Sequence, residues 1–506
     1  MYSLSRSLAL LFSFLRANSR RLFLTCALIL AGVFTLLVAS HPAGYAGGSD
    51  SSGYLNSAQL LSKGLTTAPI RPVLAPTAPK LSTPYIYSPL GLKPKSDGSL
   101  VPTYPIGLPL QVIPLAWITG WAAAPLVTVG LNALAGLWLT FLLARCWALS
   151  RGWSLLGAVI LAACPLYLMF SIQMMSDVPA LTWATASILL AWKSRQRTSW
   201  SIGAGVALAI AVLIRPSNAL LFIPVACCLG ISWRRWLLFG LSGLPGAFLF
   251  FWYNKVSYGH PLETGYGDIW GLMQLNVWKS SLQNYATWIP ALLTPLVLFA
   301  FGLPWLKSVP LPVRFALATW SVGYLVFYTF YYFTHEVWWY LRFILPCFPA
   351  LIIASLLVAR QLTSRFGLFS LASGPIAIVT SFTLLIGVLL NGRYWAKKHG
   401  VFNSSLDERQ YADACAWANT HLPPGAVVAS MQTSGALFYY TPFSVIRWDV
   451  ITPRDFSTLA PAASARGGLY AITFPFENER AFQAMPGRWT LIGQIRHLEV
   501  RKYDHQ

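Results

Sequence analysis

The stretch "RRLFLTCALILAGVFTLLVASHPAGYAGGSDSSGYLNSAQLLSKG", residues 20–64, sets the reading of the chain. Two arginines lead into an apolar run from about Leu22 to Ser40, and a Gly/Ser-rich turn then carries one acid, Asp50. The run is long enough to cross a bilayer, which takes roughly 20 apolar residues. No small-x-small cleavage site follows closely, so the run reads as a retained anchor rather than a signal peptide. Arg6, Arg16, Arg20 and Arg21 precede it. Basic residues stay on the cytoplasmic side, so the N-terminus is expected there and the segment from His41 to Tyr104 outside.

The rest of the chain agrees with this start. It has 506 residues, 56% of them hydrophobic and only 10% charged, where a soluble domain carries about 25% charged residues. Such a chain lacks the polar groups to cover a globular surface, so much of it must face lipid. The net charge of +21 comes from 36 Lys+Arg against 15 Asp+Glu. In a soluble protein that would point to nucleic acid, but no nucleic-acid motif is present and topology accounts for the excess. The seven cysteines are scattered with no CxxC or metal-ligand spacing, which argues against a disulfide framework or a zinc site.

Further apolar segments lie near 125–144, 153–170, 179–192, 200–214, 216–231, 236–253, 287–305, 315–333, 341–359 and 368–390. With the first run they predict an α-helical polytopic protein of about eleven spans. Residues 105–121 are apolar but interrupted by Pro105, Gly107, Pro109 and Pro114, and read as an interfacial or re-entrant helix. The turns then alternate in charge. Arg145, Arg151, Lys193, Arg195, Arg197, Arg234, Arg235, Lys307, Arg314, Arg360 and Arg365 fall inside. Asp50, Asp97, Asp177, Glu263, Asp268 and Glu336 fall outside.

After about Leu390 the long apolar runs stop. "LDERQYADACAWANTHLPPGAVV" (406–428) reads as an amphipathic helix, a Pro-Gly turn and a strand, and "GGLYAITF" and "WTLIGQI" read as further strands. The expected division is therefore a membrane domain over 1–390, with an external loop at 41–105, and a small extracytoplasmic α/β domain over 391–506. "NSS" at Asn403 fits a glycosylation sequon.

Asp50 is the foremost candidate for chemistry. A carboxylate about ten residues beyond a span lies at the depth of an interfacial active site and can take a proton from an attacking hydroxyl. The plain alternative is a helix N-cap for a segment starting near Ser52. Asp177, in "SIQMMSDVPA", also suits a helix start before Pro179. What lifts both acids is their shared side of the membrane.

Arg215 in "LIRPSNALLFIP" and Arg342 in "HEVWWYLRFILP" depart from the charge asymmetry as external arginines, suited to a bidentate phosphate contact. The alternative for each is snorkelling to lipid headgroups. His335 and Glu336 sit among aromatics that also fit an interfacial belt. The loop "KVSYGHPLETGYGDIW" offers Lys255, His260, Glu263, Tyr266 and Asp268, a mixture of rings and charges that suits a sugar site as well as an ordinary connection.

The order of these stretches resembles the GT-C glycosyltransferases. The branch is the one holding protein O-mannosyltransferases, the aminoarabinose transferase of lipid A and the bacterial RgtA/B/C/D-like proteins. The resemblance rests on the first span and its acid-bearing loop, then "YPIGLPL" with Tyr104 at the loop's end, "SDVPA", "IRPSNALLFIP", "GHPLETGYG" and "YLRFILPCFPALIIA". It implies transfer of a hexosyl or pentosyl group from a polyprenyl-phosphate donor, with inversion, to a lipid, glycan or protein acceptor in the cell envelope. Asp50 and Asp177 match the acids of the family's first and second loops. Asp50 is flanked by Ser49 and Ser51 rather than by a second acid. That departure implies no required cofactor and leaves a divalent metal open.

Two other classes fit a polytopic protein of this kind. One is a lipid-linked sugar flippase or transporter, although the spans show almost no mid-membrane ionisable residues. The other is a non-enzymatic assembly subunit of envelope polysaccharide.

Overall fold

The computed structural model describes residues 19–75, 80–365 and 375–504. Arg6, Arg16 and the start of the apolar segment at 368–390 lie outside the described residues. The first apolar run forms helix α1, Ser19–Ser40. A long connection follows, holding α2 (Ser49–Ser62) and a three-stranded antiparallel sheet of β1 (Ala68–Pro69), β2 (Leu92–Pro94) and β3 (Ser99–Pro102), with β3 central. The proline-broken apolar stretch forms a 13-residue helix, α3 (Gly107–Thr119).

The remaining apolar segments are helical where expected. They are α4 (Ala124–Cys146), α5 (Arg151–Ala163), α6 (Pro165–Ile172), α7 (Asp177–Lys193), α8 (Trp200–Ile214), α9 (Phe222–Leu229) and α10 (Trp233–Tyr258). Then come α11 (Trp278–Leu293), α12 (Leu311–Thr329), α13 (Phe348–Arg365) and α14 (Pro375–Lys398).

Four of these helical stretches are long and apolar enough to cross a membrane, and six are if each of two bent pairs counts as one span. The sequence predicts about eleven because it counts as spans apolar stretches whose helices are shorter, Leu24–Ser40, Trp200–Ile214 and Pro216–Leu229 among them; two further segments are bent. Cys164–Pro165 turns α5 into α6 by 64°, and Thr294–Pro295 turns α11 into a 3-10 helix by 107°. Proline removes a helical hydrogen bond and crowds the preceding turn, so such breaks fall at prolines.

The helices share one polarity. α7 runs from Asp177 to Lys193, about 25 Å at 1.5 Å per residue. The stretch Trp338–Arg365 runs from Arg342 to Arg360 and Arg365. At the basic end, Arg195 donates to the carbonyls of Cys227 and Cys228, and Arg360 donates to that of Ala148. Asp50 and Asp177 lie at the opposite end, against Arg342 and Arg215.

Beyond α14 the chain builds α15 (Ser404–His421), α16 (Ser434–Tyr440), α17 (Pro453–Arg466) and α18 (Pro475–Ala484) around a five-stranded sheet. Its strands are β4 (Val427–Ala429), β5 (Ser444–Ile446), β6 (Leu469–Thr473), β7 (Arg488–Ile495) and β8 (Leu498–Asp504), in the order β5-β4-β6-β8-β7. The first three are parallel and the last two antiparallel to their neighbours. β4 and β6 are buried throughout, as suits strands covered on both faces.

This C-terminal unit shares its core with the long connection. Val73 and Ile86 are buried with Val427, Ile446, Trp448 and Phe456. Arg71 donates to the carbonyls of Thr441, Phe443 and Phe438, and Ser82 donates through its amide and its hydroxyl to Asp455.

Candidate active site

Two acid–arginine pairs lie side by side where the loops converge. α2 begins at Ser49, three residues earlier than the sequence suggests, and Gly48 precedes it without a side-chain cap. Asp50 therefore sits within the first turn rather than capping it, where the helix dipole favours negative charge. Its Oδ2 is 2.8 Å from Arg342 Nη2. Asp177 likewise opens α7, and its Oδ1 accepts from Arg215 Nη2 at 2.8 Å. Arg215 Nη1 also donates to the carbonyl of Arg342 at 3.2 Å, which ties the pairs together. Both guanidinium groups lie near the Phe343 ring, Arg342 at 5.2 Å and Arg215 at 5.5 Å from its centre.

The two pairs differ in access. The Asp177 side chain is 1% exposed and Arg215 10%. Asp50 is 25% exposed and Arg342 12%. Asp177 is thus sealed against its arginine, while Asp50 keeps an open face. Arg342 Nε is buried with no partner among the described residues, an unmet donor of the kind that costs free energy unless an acceptor arrives.

Backbone contacts bring these loops together. The Ala43 amide donates to Ile172 O at 3.1 Å, joining the first connection to the end of α6, just before Asp177. The Gln274 amide donates to Phe330 O at 2.7 Å. Gly265 packs so closely on residue 103 that an added Cβ would lie 2.0 Å from Thr103 O. That approach brings Tyr266 to Tyr104, with ring centroids 5.9 Å apart. Tyr104 also packs against Tyr54, with tilted rings 4.9 Å apart, and its hydroxyl shares a 2.8 Å bond with Ser49 Oγ.

These neighbours set the charge state of Asp50. Burial works against ionisation, but Arg342 beside it and the Tyr104 hydroxyl outweigh burial and hold the carboxyl below its usual range. Burial and the adjacent Asp50 push the Tyr104 phenol well up, so it stays protonated as a donor.

Of the residues singled out in the sequence, Asp50, Asp177, Tyr104, Arg215, Tyr266 and Arg342 are brought together. Lys255, His260 and Glu263 are not. They are exposed at the end of α10 and in the turn after it, where His260 Nδ1 accepts from the Leu262 amide. Glu336 is exposed, and His335 bonds locally to the carbonyl of Tyr332. Ser49, Ser51, Tyr54 and Phe343 belong to the site and were not singled out. Their signal is their spacing around Asp50 and Arg342, which no motif marks.

Fold and site together define a chain with several helices long and apolar enough to cross a membrane, its two carboxylate–arginine pairs gathered at one end of the helices. Among solved structures, ArnT from Cupriavidus metallidurans bound to undecaprenyl phosphate superposes with a TM-score of 0.56 at 13% identity, over 96% of this chain and 98% of ArnT. Its apo form gives 0.55 over the same shares. The mycobacterial arabinofuranosyltransferase AftD gives 0.52 at 15% identity, over 95% of this chain but 40% of AftD. No family model and no curated protein matches the chain by sequence.

Proposed function

We propose that this protein is an inverting glycosyltransferase. It moves a sugar from a polyprenyl-phosphate donor to an acceptor hydroxyl on the extracytoplasmic face of the plasma (inner) membrane, with residues 1–390 carrying the chemistry and Asp50 as general base. The observation that carries the reading is the open Asp50 carboxylate held 2.8 Å from Arg342, beside a second, sealed arginine–carboxylate pair. The undecaprenyl phosphate bound to the structurally similar ArnT supports a polyprenyl-phosphate donor.

The geometry suggests an ordered reaction. With Arg342 against it, Asp50 is ionised but a weak base. A donor phosphate arriving at Arg342 takes over the guanidinium, and Asp50 loses the charge that held its proton affinity down. The acceptor O–H then gives its proton to Asp50 as its oxygen attacks C1 of the sugar. The C1–O bond to phosphate breaks on the opposite face, and the polyprenyl phosphate leaves with the electron pair. Arg342 and Arg215 meet the charge building on that phosphate. Asp177, sealed from solvent, keeps Arg215 in position.

Replacing Asp50 by Asn tests the reading. Mass spectrometry of envelope glycans and lipids, compared in cells with wild-type protein, the variant and neither, should show a sugar that depends on wild-type protein. The variant should lose it, in line with the roughly 10²–10⁴-fold worth of a general base. A variant that transfers at a near-normal rate overturns the assignment.

A further inference from the structure

Asp50 lies on a helix whose first turn is gripped from the far end of the chain. The Gly47 amide donates to Ser51 Oγ at 3.1 Å, and Ser51 Oγ donates to Glu408 Oε2 at 3.0 Å, across 357 residues of sequence. Ser51 is fully enclosed at 3% exposure. Glu408, in the first turns of α15, fills the space over Gly47 so closely that a Cβ there would lie 2.0 Å from Oε2. Two more bonds hold the segment before this helix, and the helix itself, to the C-terminal unit. The Ala46 amide donates to the Tyr440 hydroxyl at 2.9 Å, and Asn56 Nδ2 donates to Gly435 O at 3.1 Å. Only the Glu408 bond falls within the turn that bears Asp50.

Glu408 has no cation within ion-pair distance among the described residues. It therefore does not serve as half of a salt bridge. Its oxygen is a hydrogen-bond acceptor for a buried hydroxyl that is already engaged by Gly47. Burial, with Asp50 and Asp407 nearby, pushes the carboxyl up to about 7, so its neutral form is accessible at physiological pH.

We propose that Glu408 is a positioning residue of the transfer site: from the C-terminal unit it holds Ser51, and through Ser51 it fixes the turn that aims Asp50 at Arg342. This rests on Asp50 being the base, but the grip itself can be measured without sugar transfer. If the bond is lost, the first turn of α2 frays, because Gly48 offers no side-chain cap to hold it.

The test uses the full chain in lipid nanodiscs, without ligand, and reads amide hydrogen exchange over residues 47–57. Glu408→Ala is expected to speed exchange there at least ten-fold while α4 and α7 stay unchanged. Glu408→Gln, which keeps a neutral acceptor, should stay within about three-fold of wild type. The envelope sugar that depends on this protein should follow the same order, lost with Ala and kept with Gln. Unchanged exchange in Glu408→Ala overturns the proposal, as does Glu408→Gln behaving like Glu408→Ala. If Glu408→Ala does not fold, Ser51→Ala removes the same bond from the other side and is judged by the same criteria. Should exchange respond as expected while even wild-type cells show no dependent sugar, the transferase reading fails and the grip stands.

Discussion

Two aspartates with the same partner type do different work because their access to solvent differs. Asp177 is buried against Arg215, so Asp177→Asn leaves an uncompensated guanidinium, a change that typically costs ~3–5 kcal/mol. A clear drop in the thermal midpoint of the purified protein is expected. Asp50→Asn, at a site one quarter open, should lower the midpoint less than Asp177→Asn while losing transfer. Arg342 touches both Asp50 and, on the reading above, the donor. Arg342→Lys keeps the charge but loses the planar fork. It should weaken binding of undecaprenyl phosphate, measured directly on protein in nanodiscs, about ten-fold or more. The Asp50 carboxyl sits below the ordinary aspartate value of 3.8. Its pairing therefore stabilises the fold above that value, and the contribution is lost as pH falls through the lowered one. An acid limb in the melting profile that disappears in Asp50→Asn checks this.

Helix α2 concentrates what was legible and what was not. The acid in its Gly/Ser turn allows a helix starting near Ser52 as the alternative to a catalytic carboxylate. Its start at Ser49 was hidden, because Ser49 and Ser51 fit a cap as well as a first turn. Glu408 was hidden more deeply, since nothing in "LDERQYADACAWANTH" marks one acid among its neighbours as facing a loop more than 350 residues upstream.

Two outcomes follow from that contact. Gly47→Ala should displace Glu408, because the new Cβ would stand 2.0 Å from its carboxylate oxygen, and should raise exchange in α2 as Glu408→Ala does. The raised Glu408 carboxyl also gives a pH signature. Asp50 and Asp407 face it, and Tyr411 and Tyr440 lie beside it. A carboxyl moved from 4.5 up to about 7 stabilises the fold below 4.5, and this is lost as pH rises through about 7. Glu408→Gln, neutral throughout, should therefore gain melting temperature relative to wild type at pH 8 compared with pH 5.

For the molecule as a whole, topology is the testable consequence. In a cysteine-free background, Asp97→Cys and Arg409→Cys should react with a membrane-impermeant maleimide in intact spheroplasts, and Arg197→Cys only after permeabilisation. Labelling of positions 97 and 197 from the same side would break the arrangement. The amino-acid order was enough for the apolar helical class, the sites of the helices, three of the five strands beyond Leu390 and the candidacy of Asp50, Asp177, Arg215 and Arg342. Hydropathy and charge asymmetry are local properties that lipid reads one segment at a time. Chain folding in three dimensions was needed to pair each acid with its arginine, to seal Asp177 while leaving Asp50 open, to leave Lys255, His260 and Glu263 in solvent, and to seat Glu408 over Gly47. Those outcomes depend on contacts between segments up to hundreds of residues apart, and no local pattern of residues encodes which distant side chain will arrive.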